Sequence, residues 1–167
     1  MTTIRTTTAQ DVDAILRIAD SEPLFTTQES ACVDELVTDY LGKADHGGYY
    51  FLTAEAEGRV VGFACYGPTA LTDGTYDLYW ICVDRGSAGK GIGTALMHRA
   101  EAEIARSKGR LIIVETSGTP AYAPTRAFYE HLGYQRVASV PSYYRAGDDL
   151  VIYTRPIAHA DLQQAGG

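Results

Sequence analysis

One stretch, Tyr79 to Arg99 (YWICVDRGSAGKGIGTALMHR), constrains this chain more than any other. Leu78 to Val83 alternates and then runs apolar, the pattern of a strand buried in a sheet, and it stops at Asp84. Gly86, Gly89, Gly91 and Gly93 then lead directly into Ile92, Leu96, Ala100 and Ile104, which fall at helical spacing. A strand feeding a helix through such a turn leaves the first helical N–H groups without intrahelical acceptors, pointing at whatever lies over the turn. Because Gly91 and Gly93 lack a Cβ, an oxyanion can approach the peptide groups of Lys90 to Thr94, with about 0.3–1 kcal/mol from the helix dipole. The stretch reads as a phosphate or pyrophosphate cradle; a glycine-rich loop that merely turns a corner is the competing reading. Two other cradles are excluded. A Walker loop needs Ser or Thr directly after its Gly-Lys, where Gly91 stands, and a dinucleotide fingerprint begun at Gly89 or Gly91 meets Thr94 or Leu96 at its last small position.

Composition matters for what it excludes. The 167 residues suit a single domain spanning 1–167, with a frayed tail after about residue 156. No apolar run approaches the roughly 18 residues of a membrane span. Met1-Thr2-Thr3-Ile4-Arg5 lacks the regions of a signal peptide, so no membrane partner and a cytoplasmic location are expected. Fourteen basic against 21 acidic residues give −7, which argues against a nucleic-acid partner. That balance leans toward a cationic substrate, or serves only to keep the surface acidic and soluble. Cys32, Cys65 and Cys82 are odd in number and widely spaced, and read as small buried hydrophobes. His46, His98, His131 and His159 share no metal-ligand spacing, so no metal is expected.

Around the central stretch the elements follow a mixed order. Thr2 to Thr7 predicts a strand with Ile4 inward; Thr8, with Asp11 three residues on, caps a helix through Val12, Ile15, Leu16 and Ala19. A second helix is expected from about Thr27 to Leu41, with Ala31, Leu36, Val37 and Tyr40 inward. Tyr49 to Ala56 and Arg59 to Tyr66 read as strands joined by a tight turn at Glu57-Gly58. Tyr76 to Val83 follows, with Asp77, Tyr79, Ile81 and Val83 on one face and Tyr76, Leu78, Trp80 and Cys82 on the other. The loop-fed helix is closed near Ser107 by Lys108-Gly109, and Leu111 to Val114 is a short apolar strand ending at Glu115. A short helix, PTRAFYEHLG, has Pro124 in its first turn and stops at Gly133. Phe128 and Leu132 form its apolar pair, and Tyr129 lies at the edge of that stripe. Gln135 to Val140 and Leu150 to Thr154 close the order, joined by a loop from Pro141 to Asp149.

With Gly89-Lys90-Gly91-Ile92-Gly93-Thr94-Ala95-Leu96 and Arg126-Ala127-Phe128-Tyr129-Glu130-His131-Leu132-Gly133-Tyr134 in view, the chain resembles the GCN5-related N-acetyltransferase (GNAT) family. The first stretch is similar to that family's acetyl-CoA pyrophosphate loop, the second to its late helix ending in a tyrosine and Leu-Gly-aromatic. The resemblance covers nearly the whole chain. It implies an α/β fold: a central mixed, mostly antiparallel sheet of about seven strands with about four flanking helices, splayed at the acetyl-CoA strand pair. Acetyl-CoA is then the cosubstrate, without a metal, contacted by Ile81, Cys82, Val83, Ala88, Gly89, Lys90, Gly91, Ile92, Gly93, Thr94, Tyr122 and Arg126. Two positions depart from the pattern: Ala88 stands where the family usually has Gln or Arg, and Tyr122 where many members have Asn. The resemblance also implies a homodimer.

Acetyl transfer from a thioester to an amine makes three demands. An alkyl amine with pKa about 10.4 is only about one part in a thousand free at neutral pH, so a group must accept its proton. The carbonyl oxygen gains charge and needs a donor, and the departing thiolate benefits from an acid. By resemblance the acid is Tyr129, the oxyanion donor is a backbone N–H near Cys82 or Val83, and the base is Glu115, with Asp77 and Tyr79 as rivals. Competing readings are a tyrosine packed by its ring, a solvated strand-end glutamate, a solvated Lys90 and a helix-surface Arg126. Tyr49, Tyr50, Tyr143, Tyr144, Glu22 and Phe25 line an acceptor groove or pack the core. The expected function is an acetyl-CoA-dependent N-acetyltransferase acting on a cationic small-molecule primary amine by direct attack in a ternary complex. The alternatives are a peptide or protein N-terminal or lysine acetyltransferase and a non-catalytic acyl-CoA-binding module. Cys82 as an acyl-carrying nucleophile lacks a basic partner nearby in sequence.

Overall fold

Alternating apolar and β-branched residues set the strands, and the capped segments between them set the helices. A computed structural model describes residues 1–158. The expected frayed tail from residue 159 onward, and His159 with it, lie outside the described residues. The chain divides into two compact units, the first of residues 1–67 and 78–100, the second of 68–77 and 101 onward. Among the described residues seven strands and four α-helices make a mixed α/β fold, mostly antiparallel, the class that the GNAT resemblance implies.

In the first unit β1 (Thr2–Thr6) pairs antiparallel with β2 (Tyr50–Ala56), which turns into β3 (Arg59–Pro68). Glu57 and Gly58 both adopt positive φ, 51° and 70°, matching the right-handed twist of a hairpin as a primed turn does. Helices α1 (Val12–Ser21) and α2 (Thr27–Gly42) bury Ile15, Ile18, Val33 and Val37 with Phe51, Phe63 and Cys65. The inner face of α2 departs from expectation. Ala31 is exposed and Val33 is buried, because Val33 lies one turn before Val37 and two before Tyr40, and so falls on their stripe. Leu36 is half-buried against that core.

The expected cap at Thr8 forms with an added partner. The Thr8 N–H donates to Asp11 Oδ2 at 2.8 Å, and Arg5 Nη1 donates to the same oxygen at 2.7 Å. Those residues begin a 3-10 turn (Ala9–Asp11) rather than α1 itself.

The strand β4 (Thr75–Val83) ends at Asp84, whose N–H donates to the Val61 carbonyl oxygen at 2.8 Å. A Cβ on Gly62 would lie 2.9 Å from the Cys82 carbonyl oxygen and 3.4 Å from both Ile92 Cγ2 and Leu96 Cδ1. Only glycine lets β3 pass that close to the end of β4 and to the start of α3 (Ile92–Arg106).

In the second unit β5 (Leu111–Ser117) and β6 (Gln135–Arg145) both pair antiparallel with β7 (Asp148–Pro156), and α4 (Ala123–His131) precedes β6. Three sequence expectations are corrected here. Strand β5 runs beyond Val114, with Glu115 opposite Ile152 and Ser117 opposite Leu150, so Glu115 lies inside the strand. The final hairpin is longer than expected: most of Pro141 to Asp149 is strand, with Arg145 opposite Asp148. A register irregularity between Val140 and Arg145 carries Pro141, which has no N–H, through an edge strand. There Ser142, at φ 52°, donates its N–H to Asp149 Oδ1 at 2.8 Å. Lastly, the left-handed residue closing α3 is Lys108 (φ 61°); Gly109 follows it, with its N–H donating to the Ile104 carbonyl oxygen at 2.8 Å.

The Arg5 hydrogen bonds hold the Asp11 carboxyl down at about 2, from its ordinary 3.8. A depressed carboxylate contributes stability that is complete above its unfolded pKa and disappears as pH falls through the folded one. With Arg5 one-third exposed, about 1–2 kcal/mol is expected at pH 7. Asp11→Asn should therefore unfold at lower urea than the parent at pH 7, with the gap closing between about pH 4 and 2. A gap that stays constant over that range rules the linkage out.

Candidate active site

The cradle lies wholly in the first unit. After Asp84 a 3-10 turn (Arg85–Ser87) is braced by the Asp84 side chain, which accepts from the Gly86 N–H at 3.2 Å. The Ala88 N–H donates to the Arg85 carbonyl oxygen at 3.3 Å, so the loop's outward amides begin after Ala88. Gly89 and Gly91 both take φ 75°, and a Cβ on either would meet no protein atom within 4 Å. What these glycines leave open is therefore space outside the protein's own packing. The Ala95 N–H donates to the Gly91 carbonyl oxygen at 3.0 Å, so the N–H groups of Ile92, Gly93 and Thr94 precede the first intrahelical bond. This is the donor set that a diphosphate requires. Lys90 is exposed and donates from Nζ to the Gly86 carbonyl oxygen at 3.2 Å, which braces the loop.

On β4 the expected alternation holds at Leu78 and Cys82, which are buried, while Ile81 and Val83 are half-buried. Burial, followed by the charges of Glu22 and Glu29, pushes the Cys82 thiol far above its ordinary range. A thiol so held supplies no thiolate at neutral pH. Tyr79, the rival base, sits in a row of rings: its centroid is 5.6 Å from Tyr49 and 6.1 Å from Trp80, and Trp80 is 6.4 Å from Phe25. Tyr50 stacks on Tyr66 at 5.4 Å.

The second unit holds Asp77, Glu115, Tyr122, Arg126 and Tyr129. Glu115 is exposed on β5, yet partial burial and then the charge of Asp77 raise its carboxyl above the usual range. Asp77 accepts from Thr69 Oγ1 at 2.6 Å, which fixes its orientation. The Tyr144 hydroxyl is pushed up to about 12, first by burial and then by the Glu115 charge. Thr69 was not legible as part of this cluster, because nothing local ties it to a strand eight residues on. Arg126 donates from Nη1 to the carbonyl oxygens of Ser117 at 2.7 Å and Thr119 at 2.8 Å, and so clamps the loop before α4. The Ser117 hydroxyl in turn donates to Asp148 Oδ1 at 2.5 Å, a contact from β5 to β7 that sequence reasoning missed. Tyr122 caps the start of α4, its N–H donating to the Thr119 carbonyl oxygen at 3.1 Å.

Tyr129 corrects the reading of α4. It is the buried residue of that helix, 6 % exposed, whereas Phe128 and Leu132 are half-buried. Its ring packs against those of Phe128, Tyr134 and Tyr153 at 5.5, 6.0 and 6.1 Å. The rings of Tyr134 and Tyr153, from outside α4, turn Tyr129 inward ahead of the Phe128–Leu132 pair.

Residues 47–136, more than half of the chain, match the family described as acetyltransferase (GNAT) domain. The chain belongs to the GNAT family. It is 32 % identical over 117 residues to an uncharacterized N-acetyltransferase of Methanocaldococcus jannaschii, covering 67 % of this chain and 70 % of that protein. A crystal structure of a GNAT-family protein from Desulfovibrio desulfuricans is 40 % identical with a TM-score of 0.91, over 95 % of this chain and 100 % of that one. At 22 % identity the ribosomal-protein-S18-alanine N-acetyltransferase of Escherichia coli shares the fold, with a TM-score of 0.77 over 97 % of both chains. The protein is an acyltransferase.

Gly91→Ala tests the reading of the Gly89 to Thr94 loop as a diphosphate cradle. Left-handed strain should cost roughly 1–2 kcal/mol of stability, and the new methyl group stands where an anion must approach. Calorimetric titration with coenzyme A should show affinity reduced roughly tenfold or more. An unchanged affinity removes the loop from the binding site.

Proposed function

We propose that this GNAT enzyme transfers the acetyl group of acetyl-CoA to a cationic small-molecule primary amine, by direct attack and without a metal. One arrangement carries the reading: Glu115 is partly buried with Asp77 as a charged neighbour, and burial first and then that charge raise its carboxyl. A base of ordinary carboxylate strength is a poor acceptor for an ammonium proton, and raising it narrows the gap; a pair of carboxylates also favours a cation.

In the proposed reaction the N–H groups from Gly89 to Thr94 hold the diphosphate, and Ile81, Cys82 and Val83 flank the thioester arm. Glu115 takes the ammonium proton, directly or through water. The free amine attacks the thioester carbonyl, whose developing oxyanion is met by a backbone N–H near Cys82 or Val83. As the C–S bond breaks, Tyr129 gives its proton to the thiolate, and the products are the N-acetylated amine and coenzyme A. The Cys82 route is disfavoured by the raised thiol. We propose also that the two units act as one acetyltransferase domain, since the family match from residue 47 to 136 takes in parts of both.

Two measurements test the scheme. Activity should rise with pH as Glu115 ionises, so Glu115→Gln should lose that acid limb and roughly 10²–10⁴-fold in kcat. Asp77→Asn removes the charge that raises Glu115, and should move the limb to lower pH while keeping an acceptor for Thr69. A limb that stays in place in both variants rejects Glu115 as the base.

Tyr129→Phe, assayed by free-thiol release, should lower kcat by a comparable factor. Wild-type kcat in that variant dismisses the acid role. A panel of diamines, aminoglycosides, amino acids and short peptides then separates acceptors. Turnover of peptides alone favours the peptide reading, and tight acetyl-CoA binding without any turnover favours a binding module.

A further inference from the structure

We propose that Glu101 is a positioning residue for Tyr129, acting through Tyr134 and Arg155; this rests on the acid role proposed for Tyr129. Tyr129 is held twice. Its carbonyl oxygen accepts the N–H groups of Tyr134 at 3.0 Å and Leu132 at 3.1 Å, so the turn that ends α4 fixes its backbone. Its ring lies between two buried rings, Tyr134 at 6.0 Å and Tyr153 at 6.1 Å, which fix its side chain.

Both flanking rings are anchored by carboxylates. The Tyr134 hydroxyl donates to Glu101 Oε1 at 3.0 Å, and Arg155 Nη1 donates to that same oxygen at 2.9 Å. Arg155 also donates to the Leu132 carbonyl oxygen at 3.0 Å and sets its guanidinium 5.8 Å from the Tyr134 ring centroid. Glu101 thus ties the ring beside Tyr129 and, through Arg155, the turn behind it. On the other side the Tyr153 hydroxyl donates to Glu130 Oε1 at 2.7 Å. Burial and the neighbouring carboxylates raise both hydroxyls, Tyr153 to about 12, so neither ionises over the pH range of amine acetylation.

Packing alone does not explain the arrangement. The Glu101–Arg155 ion pair is partly exposed, so it adds little net stability, and its distinctive property is fixed geometry. A proton donor needs fixed geometry, because small misplacement of a reacting group reduces rate steeply.

The test compares kcat, KM and thermal unfolding for Glu101→Leu, Glu101→Gln and Tyr134→Phe, each alone and combined with Tyr129→Phe. Glu101→Leu should lower kcat roughly tenfold with both KM values within about twofold, and Glu101→Gln, which keeps an acceptor oxygen, should recover part of the loss. In the Tyr129→Phe background the same changes should have no further effect on kcat. An unchanged kcat in folded Glu101→Leu, or an equal loss in both backgrounds, overturns the inference. If Glu101→Leu does not fold, Tyr134→Phe, which removes one hydroxyl only, decides in the same way. Wild-type kcat in Tyr129→Phe alone disposes of the acid role, and the positioning role falls with it; loss there without coupling to Glu101 refutes positioning only.

Discussion

The turn from Asp84 to Thr94 depends on two main-chain facts that no side chain could supply. One is the approach of Gly62 to the Cys82 carbonyl oxygen, which lets β3, the end of β4 and the first turn of α3 meet. The other is the left-handed backbone of Gly89 and Gly91, which aims the following amides outward where a Cβ would stand in open space. Asp84 links them, bonded to Val61 through its N–H and to Gly86 through its side chain. The strand end is thereby buried tightly while the first amides of α3 stay without intrahelical acceptors.

What surrounds the second unit's tyrosines obeys a different logic. There, polar side chains hold other polar side chains: Thr69 holds Asp77, Ser117 holds Asp148, Glu101 holds Tyr134. Each bond is made to a carboxylate, adds about 1.5–3 kcal/mol net, and also fixes an orientation that packing would leave free. A carboxylate whose partner is fixed has a defined electrostatic influence on its neighbours, and Asp77 acting on Glu115 is the instance most relevant to chemistry.

Much of this was legible in the sequence where one local pattern decided the outcome. The glycine spacing marks the turn from β4 into α3, Glu57-Gly58 the hairpin, Thr8 and Asp11 the cap, because each involves residues within a few positions of one another. The misses share a cause as well. Ala31 was placed inward because small apolar residues fit either side of a stripe, and only the tertiary neighbours of Val33 settle which position is buried. The tip of the last hairpin reads as loop because Pro141 and the polar run after it mimic one. An edge strand with all eleven residues exposed has no alternation to read. Glu115 was placed at a strand end for a related reason: what prolongs β5 is its pairing with Val151 and Leu150, thirty-odd residues away. The cluster around Tyr129 was half legible, since the helix was evident but its inward side was set by rings at positions 134 and 153.

The choice between a covalent and a direct route can be argued from charge in the first unit alone. Glu22 and Glu29 act on Cys82 together with burial, and all three influences disfavour a thiolate. A negative potential that suppresses a thiolate is favourable to an ammonium, so the same carboxylates that oppose the Cys82 route support the cationic acceptor proposed above. The row of half-buried rings from Tyr49 through Tyr79 and Trp80 to Phe25 points the same way, since aromatic faces attract cations and exclude anions. The direct attack proposed above avoids the thiolate that burial, Glu22 and Glu29 oppose at Cys82.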